Sequence, residues 1–200
     1  MSAPLSDEAL NQLFRTARTQ RSWRSEDVPE RLIGELYDLL KLGPTASNIC
    51  PARVLFIRSA GAKARLEPYL DPSNRTAVRQ APWTAIIAYD LAFTDHLAHL
   101  IPHAPQAATW FAEPHQREWN AIQSGTLQAA YLIMAARALG LDCGPMSGFS
   151  RQGVDAEFFS CDPAMASWRS NFLVNIGYGE EARVRARAPR LDFEDACRIA

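Results

Sequence analysis

Apolar residues recur at helical spacing in three stretches of the chain. Leu10, Leu13, Phe14 and Ala17 form one stripe behind Ser6, whose hydroxyl suits a helix cap. Leu32, Ile33, Leu36, Leu39 and Leu40 form a second after Pro29, and Gly43-Pro44 stops it. The longest predicted helix runs from Asn120 to Leu139, small and apolar nearly all round at Ala129, Ala130, Ala135, Ala136 and Ala138. Such a helix is buried or packed against a partner subunit. Short apolar runs predict strands at Val54–Arg58, Thr84–Tyr89 and Asn171–Ile176, with a short helix from Gly61 to Tyr69. Residues 90–118, with Pro102, Pro105 and Pro114, read as an irregular lid or binding segment. Leu141 to Phe149 reads as a glycine-broken connection, and the charged tail from Glu180 ends in a short helix. Helices outnumber strands without alternating strictly, so the expected class is α+β in a single domain, 1–200.

Composition narrows the function classes. With 48% hydrophobic and 22% charged residues among 200, the chain is neither disordered, collagen-like nor of low complexity. Lys+Arg 21 against Asp+Glu 22 leaves a net charge of -1, so no global field recruits nucleic acid or a membrane. The four cysteines lie far apart without a C-x-x-C pair, as free thiols of a reducing compartment do. No apolar leader follows Met1, and Leu127–Leu141, interrupted by Gln128 and Arg137, is too short to span a bilayer. A soluble, cytoplasmic protein is expected.

Two arginine groups suggest anion recognition. Arg18, Arg21 and Arg24 follow the first helix, and Arg185 and Arg187 alternate before Pro189. Guanidinium groups on one face of an extended segment suit one phosphate gripped from two points. A solvated surface has the same composition, and a shared site requires the fold to bring the chain ends together. Gly43–Pro51 offers small hydroxyl and amide groups in a turn that a plain helix cap also explains. Gly144, Pro145 and Gly148 set a backbone path able to expose N–H groups to a ligand. His96, His99 and His103 share a spacing, yet Pro102 breaks their helix and no thiol or carboxylate sits at a matching offset, so no metal site is expected. Cys50 has no histidine tied to it and reads as a structural thiol. Dinucleotide-binding, Walker and nucleophile-elbow motifs are all missing.

In this order the segments resemble the flavin-dependent nitroreductase family from about Ala9 to the C-terminus. The resemblance is carried by Arg18-Thr19-Gln20-Arg21, by Pro44-Thr45-Ala46-Ser47-Asn48 followed by Pro51, by Gly144-Pro145-Met146-Ser147-Gly148-Phe149, and by Arg185-x-Arg187-x-Pro189. Gly43-Pro44-Thr45, Pro51-Ala52-Arg53, Leu139–Asp142, Asn175–Gly179 and Pro189-Arg190-Leu191 are similar to a subgroup of malonic semialdehyde reductases, or NADH dehydrogenase/NAD(P)H nitroreductases.

The resemblance implies a central, mainly antiparallel sheet flanked by helices, in an FMN-binding homodimer whose residues 180–200 wrap the partner. It implies FMN contacts at Arg18, Thr19, Arg21, Pro44, Thr45, Ala46, Asn48, Asn74, Pro145, Met146, Ser147, Gly148, Arg185 and Arg187. NADH or NADPH would be the reductant, and a small carbonyl such as malonic semialdehyde, or a nitro or quinone compound, the second substrate of a ping-pong cycle. The flavin carries the hydride, and no catalytic side chain is assigned. His103, Trp110 and Phe111 are expected to border the substrate pocket. The chain departs from the family pattern in having Cys50 for Gln, Ala52 for Trp, Ser147 for a ring-loop Glu and Ala77 for a basic residue. A flavin-holding protein without turnover and a cofactor-free interaction module are the alternatives.

Overall fold

Four strands form one wholly antiparallel sheet in the order β1-β2-β4-β3. They are β1 (Ala52–Ile57), β2 (Trp83–Asp90), β3 (Asp142–Met146) and β4 (Trp168–Gly177). The structure, a computed structural model, describes residues 3–200. The two central strands, β2 and β4, are covered on both faces, which is why their sequences read as apolar runs rather than as clean alternation.

One face carries α2 (Glu30–Leu40) and α6 (Pro114–Ala138). There Ala85, Ile87, Val174 and Ile176 bury against Leu36, Leu132 and Ala136. The period of two turns Ile86, Ala88 and Leu173 to the other face. These pack against Leu66 of α3 (Ala60–Leu66), Val78 of α4 (Pro72–Gln80) and Val154 of α7 (Arg151–Phe158).

The predicted α+β class and antiparallel sheet hold, and three local expectations change. Residues 90–118 are neither irregular nor one unit. They contain α5 (Leu97–Leu100) and short 3-10 turns, and Phe93, Leu97, Ile101, Ala107 and Phe111 bury together with Ile49 and Ala121. The last part of the segment belongs to α6, which starts at Pro114, because proline at the first helical turn needs no N–H partner and already has helical φ.

The glycine-broken connection is instead the edge strand β3. Gln20 N–H donates to the Cys143 carbonyl at 2.9 Å, and Thr19 bridges Cys143 in parallel along the strand's outer side. A Cβ on Gly144 would lie 2.4 Å from the Gln20 carbonyl oxygen, so glycine is needed for that approach. Pro145 is tolerated because β3 is an edge.

The third change concerns the N-terminus. Ser6 caps α1 (Asp7–Leu10) as expected, but the chain then widens into a π-helical turn, Asn11–Arg15, and neither part has a buried residue. Phe14 stays 54% exposed while Leu10, Leu13 and Ala17 are only half-buried, with Gln12 and Leu13 held to Arg137 of α6, so the predicted stripe does not enter the core. Residues 180–200 end in α8 (Phe193–Ala196), with Leu191 and Phe193 exposed. Among the described residues no helix is long and apolar enough to cross a membrane.

Candidate functional site

The two ends of the chain meet in an arginine basin. Arg18 donates from its guanidinium to the backbone carbonyl of Arg185. Arg187 donates to the carbonyls of Phe14, Arg15 and Ala17 at 3.2, 2.9 and 2.8 Å. The first two are open carbonyls at the end of the π-helical turn, where a cation is favoured, and the third lies just beyond it. Arg187 thereby clasps the tail to the N-terminal segment. Arg18, Arg185 and Arg187, together with Thr19, Arg21 and Arg190, line a cavity of about 550 Å³. Arg183 has Glu180 as ion-pair partner at 3.1 Å, whereas the described ion pairs give none to Arg18, Arg21, Arg185 or Arg187. Unneutralised cations in one cavity repel each other, and a polyanion relieves that repulsion.

β3 leads from this basin to the loop after it. Cys143 accepts from Gln20 at the open edge, and alternation turns the Ser147 N–H toward the same edge. Four residues of extended chain separate the two, roughly 13 Å. The loop is held from behind by α4: the Asp71 N–H and the Asn74 side-chain amide both donate to the Gly148 carbonyl, at 3.0 and 2.9 Å. A Cβ on Gly148 would come within 2.3 Å of an Asp71 carboxylate oxygen. Asn74 therefore fixes the loop with its NH2 group. Beneath β3, the indole N–H of Trp23 and the amide nitrogen of Asn175 are buried without a partner.

Pro44–Asn48 lies elsewhere, ahead of β1 on the opposite edge of the sheet. Three strand spacings, roughly 14 Å, separate β1 from β3. Ser47, Asn48 and Cys50 have φ of 48°, 55° and 41°, a left-handed conformation that L-residues rarely adopt. Each such residue costs on the order of 1–3 kcal/mol and persists only where its surroundings enforce it.

Here the enforcement is visible. The Tyr131 hydroxyl donates to the Pro44 carbonyl at 2.9 Å, and the Ser124 hydroxyl accepts the Ala46 N–H at 3.3 Å. The Asn48 amide donates to the Leu100 carbonyl at 3.0 Å. Arg53, paired with the buried Asp90 at 2.8 Å, donates to the Cys50 carbonyl at 3.1 Å. Strain clusters where a backbone must present itself in one shape to a ligand.

The predicted site residues thus fall into two groups. Arg18, Thr19, Arg21, Asn74, Pro145, Met146, Ser147, Gly148, Arg185 and Arg187 lie along the β3 edge; Pro44, Thr45, Ala46 and Asn48 lie at the β1 edge. No described cavity contains members of both groups.

The largest described cavity, about 690 Å³, adjoins the β1 turn and is lined by Asn48, Cys50, Arg53, Phe56, His96 and His99 among others. From the segment after β2, then, His96 and His99 face a cavity. His103 and Trp110 are exposed beyond it, and Phe111 packs edge-on against Phe93 with centroids 5.1 Å apart. A cluster that needs its own core uses the aromatic residues that a lid would have offered to a substrate. Burial pushes the Cys143 thiol up to about 12, which leaves it inert as a nucleophile.

Sequence reasoning passed over Gln20 and the Arg53–Asp90 pair. Gln20 is buried and its side chain fills the space that a Cβ on Gly179 would need. The Pro51-Ala52-Arg53 string was the available signal for the second.

With this geometry in place, the chain belongs to the nitroreductase family, whose model matches residues 4–178. It is 51% identical over 98% of its length to a Caulobacter protein provisionally named NADH dehydrogenase/NAD(P)H nitroreductase, of which it covers 99%. Its fold is that of an Exiguobacterium sibiricum protein, taken as a nitroreductase and solved in complex with FMN: TM-score 0.82, 19% identity, 100% of both chains covered. It is also that of a Staphylococcus epidermidis protein, taken as an NAD(P)H:FMN oxidoreductase: TM-score 0.82, 15% identity, 100% of this chain and 98% of the other.

Proposed function

We propose that the protein is an FMN-dependent oxidoreductase that uses NADH or NADPH to reduce a small carbonyl compound, malonic semialdehyde among them, or a nitro or quinone compound. The carrying observation is the arrangement along β3. A basin in which Arg18, Arg21, Arg185 and Arg187 have no carboxylate partner among the described ion pairs stands at one end, and a glycine loop with an outward N–H stands at the other. That donor set fits a phosphate joined through an extended chain to a flat, acceptor-rich ring. The names of the relatives support the same cofactor and reductants.

FMN, when bound, would supply hydride exchange between the nicotinamide and the second substrate, the chemistry of a ping-pong cycle. The chain supplies binding and electrostatics. Arg18 and Arg185 hold the phosphate through charge-assisted hydrogen bonds, while Arg187 keeps the tail in place. Thr19 and Arg21 line the same basin, and Arg21 would stabilise negative charge at the pyrimidine end of the ring. Pro145, Met146 and Ser147 would border the ring together with the Gly148 turn, with the Ser147 N–H as donor and Asn74 fixing the loop through the Gly148 carbonyl. No side chain of the chain is placed as proton donor; solvent or the substrate itself would deliver the proton.

The β1 group, Pro44–Asn48, completes this site from a second copy of the chain. Within one chain the sheet itself separates the two groups. Exposed Phe14, Tyr37, Leu42, Leu191 and Phe193 provide apolar surface for a homodimer, with residues 180–200 wrapping the partner.

Purified protein loaded with FMN and titrated anaerobically with NADH or NADPH tests the reading. A yellow protein that bleaches and recolours on adding substrate supports it. A yellow protein that never bleaches is a flavin holder, and a protein that ignores FMN contradicts both.

A further inference from the structure

A third cavity, of about 350 Å³, borders the glycine loop and is distinct from the arginine basin. Pro145, Met146, Ser147, Asn171 and Phe172 line it together with Arg151, the one charged side chain among them. Arg151 opens α7, behind the capping Ser150. Its Nε donates to the Asn171 carbonyl at 3.1 Å, which anchors the guanidinium to β4.

The described hydrogen bonds and ion pairs give its two terminal nitrogens no partner. Asp155, one turn along α7, has an oxygen engaged with the Ser170 N–H at 2.8 Å. An anchored guanidinium with both terminal nitrogens open is a fork for one carboxylate. The lining otherwise has no charge to compete for that anion.

We propose that Arg151 is a specificity-determining residue that binds the carboxylate of the second substrate. The preferred substrate is then a short carbonyl acid, its carbonyl beside the loop and its carboxylate on Arg151. The inference rests on the function proposed above and deepens it, because it separates acids from the neutral nitro and quinone compounds of the same reading. The phosphate remains the business of the basin at the far end of β3.

Malonate, a diacid that carries no reducible carbonyl, is the probe. Calorimetric titration of FMN-loaded protein is expected to show malonate binding about tenfold weaker in Arg151→Gln than in the wild type, the loss of one charge-assisted contact. Arg151→Lys, which keeps the charge and loses the fork, is expected to fall between them. In parallel, the ratio of kcat/KM for malonic semialdehyde to that for its methyl ester should drop about tenfold in Arg151→Gln. Unchanged malonate affinity and an unchanged ratio in a yellow variant overturn the assignment. A wild-type protein that takes up no FMN overturns the underlying function instead.

Discussion

Arg18 and Arg185, 167 positions apart in the sequence, are joined by a hydrogen bond from a guanidinium to a backbone carbonyl. The contact sets the tail against the N-terminal segment and makes one basin of two arginine groups.

Removing Arg18 should therefore act twice. Arg18→Ala is expected to weaken FMN binding by about 1.5–3 kcal/mol, the scale of a hydrogen bond to a charged group, or roughly 10- to 150-fold. It should also speed hydrogen exchange in residues 183–188, whose tether is gone. Quenching of flavin fluorescence and exchange mass spectrometry measure the two. Wild-type affinity would leave Arg18 a surface charge.

Cutting the chain after Gly179 should cost more than a frayed end does. The cut removes Arg185, the Arg187 clasp on the Phe14, Arg15 and Ala17 carbonyls, and the exposed Leu191 and Phe193. Dimerisation and FMN retention are expected to fail together. Size-exclusion chromatography with an absorbance spectrum checks this, and a yellow dimer would show the tail to be dispensable.

Gly148→Ala tests the loop cradle. The new methyl group would lie 2.3 Å from an Asp71 carboxylate oxygen and 2.8 Å from the Asn74 amide nitrogen, so these side chains, and with them the Asn74 bond to the Gly148 carbonyl, or the loop must shift. Overpacking of this kind costs about 1–3 kcal/mol, and thermal unfolding should show it alongside a lower FMN content. A variant that keeps both its melting temperature and its flavin would show the loop to be more pliant than the cradle implies.

The thiols should separate by burial. With its thiol pushed up to about 12 by desolvation, Cys143 stays protonated at pH 8 and unreactive, while exposed Cys161 and Cys197 react with a chromogenic disulfide. The linkage sign follows: a pKa raised above its value of about 8.5 in the unfolded chain gives stability fully present below pH 8.5 and lost as pH climbs toward 12. Urea denaturation at pH 8 and 10 should show the decline, reduced in Cys143→Ala. Rapid labelling of Cys143 in the folded protein would contradict the burial argument.

Elements with a strong period were legible in the sequence. α2 and the central strands follow directly from Ile33, Leu36 and Leu40 and from the runs in β2 and β4. β3 was not, because Gly144 and Pro145 are read as breakers. What makes them a strand is antiparallel pairing with the distant β4, from Asp142 opposite Gly177 to Met146 opposite Leu173, with Gln20 closing on the outer side, contacts with no local signature. Phe111 looked like a lid aromatic for a similar reason: its partner Phe93 and the shared small core are tertiary facts. The arginine groups were visible, and so was the strained turn's composition. Their placement on opposite sheet edges required the strand order.

That placement yields the central claim, that one flavin site is built from the β3 edge of one chain and the β1 turn of another. Mixed dimers test it most directly. Arg18→Ala damages the basin, and Ala46→Trp puts bulk on an exposed turn residue without removing its backbone bond to Ser124. Each variant alone should hold little FMN. A purified dimer with one copy of each retains one site with both halves intact, so it should bind one FMN with near wild-type affinity. If mixing restores no binding, the two edges do not share a site and the account is wrong.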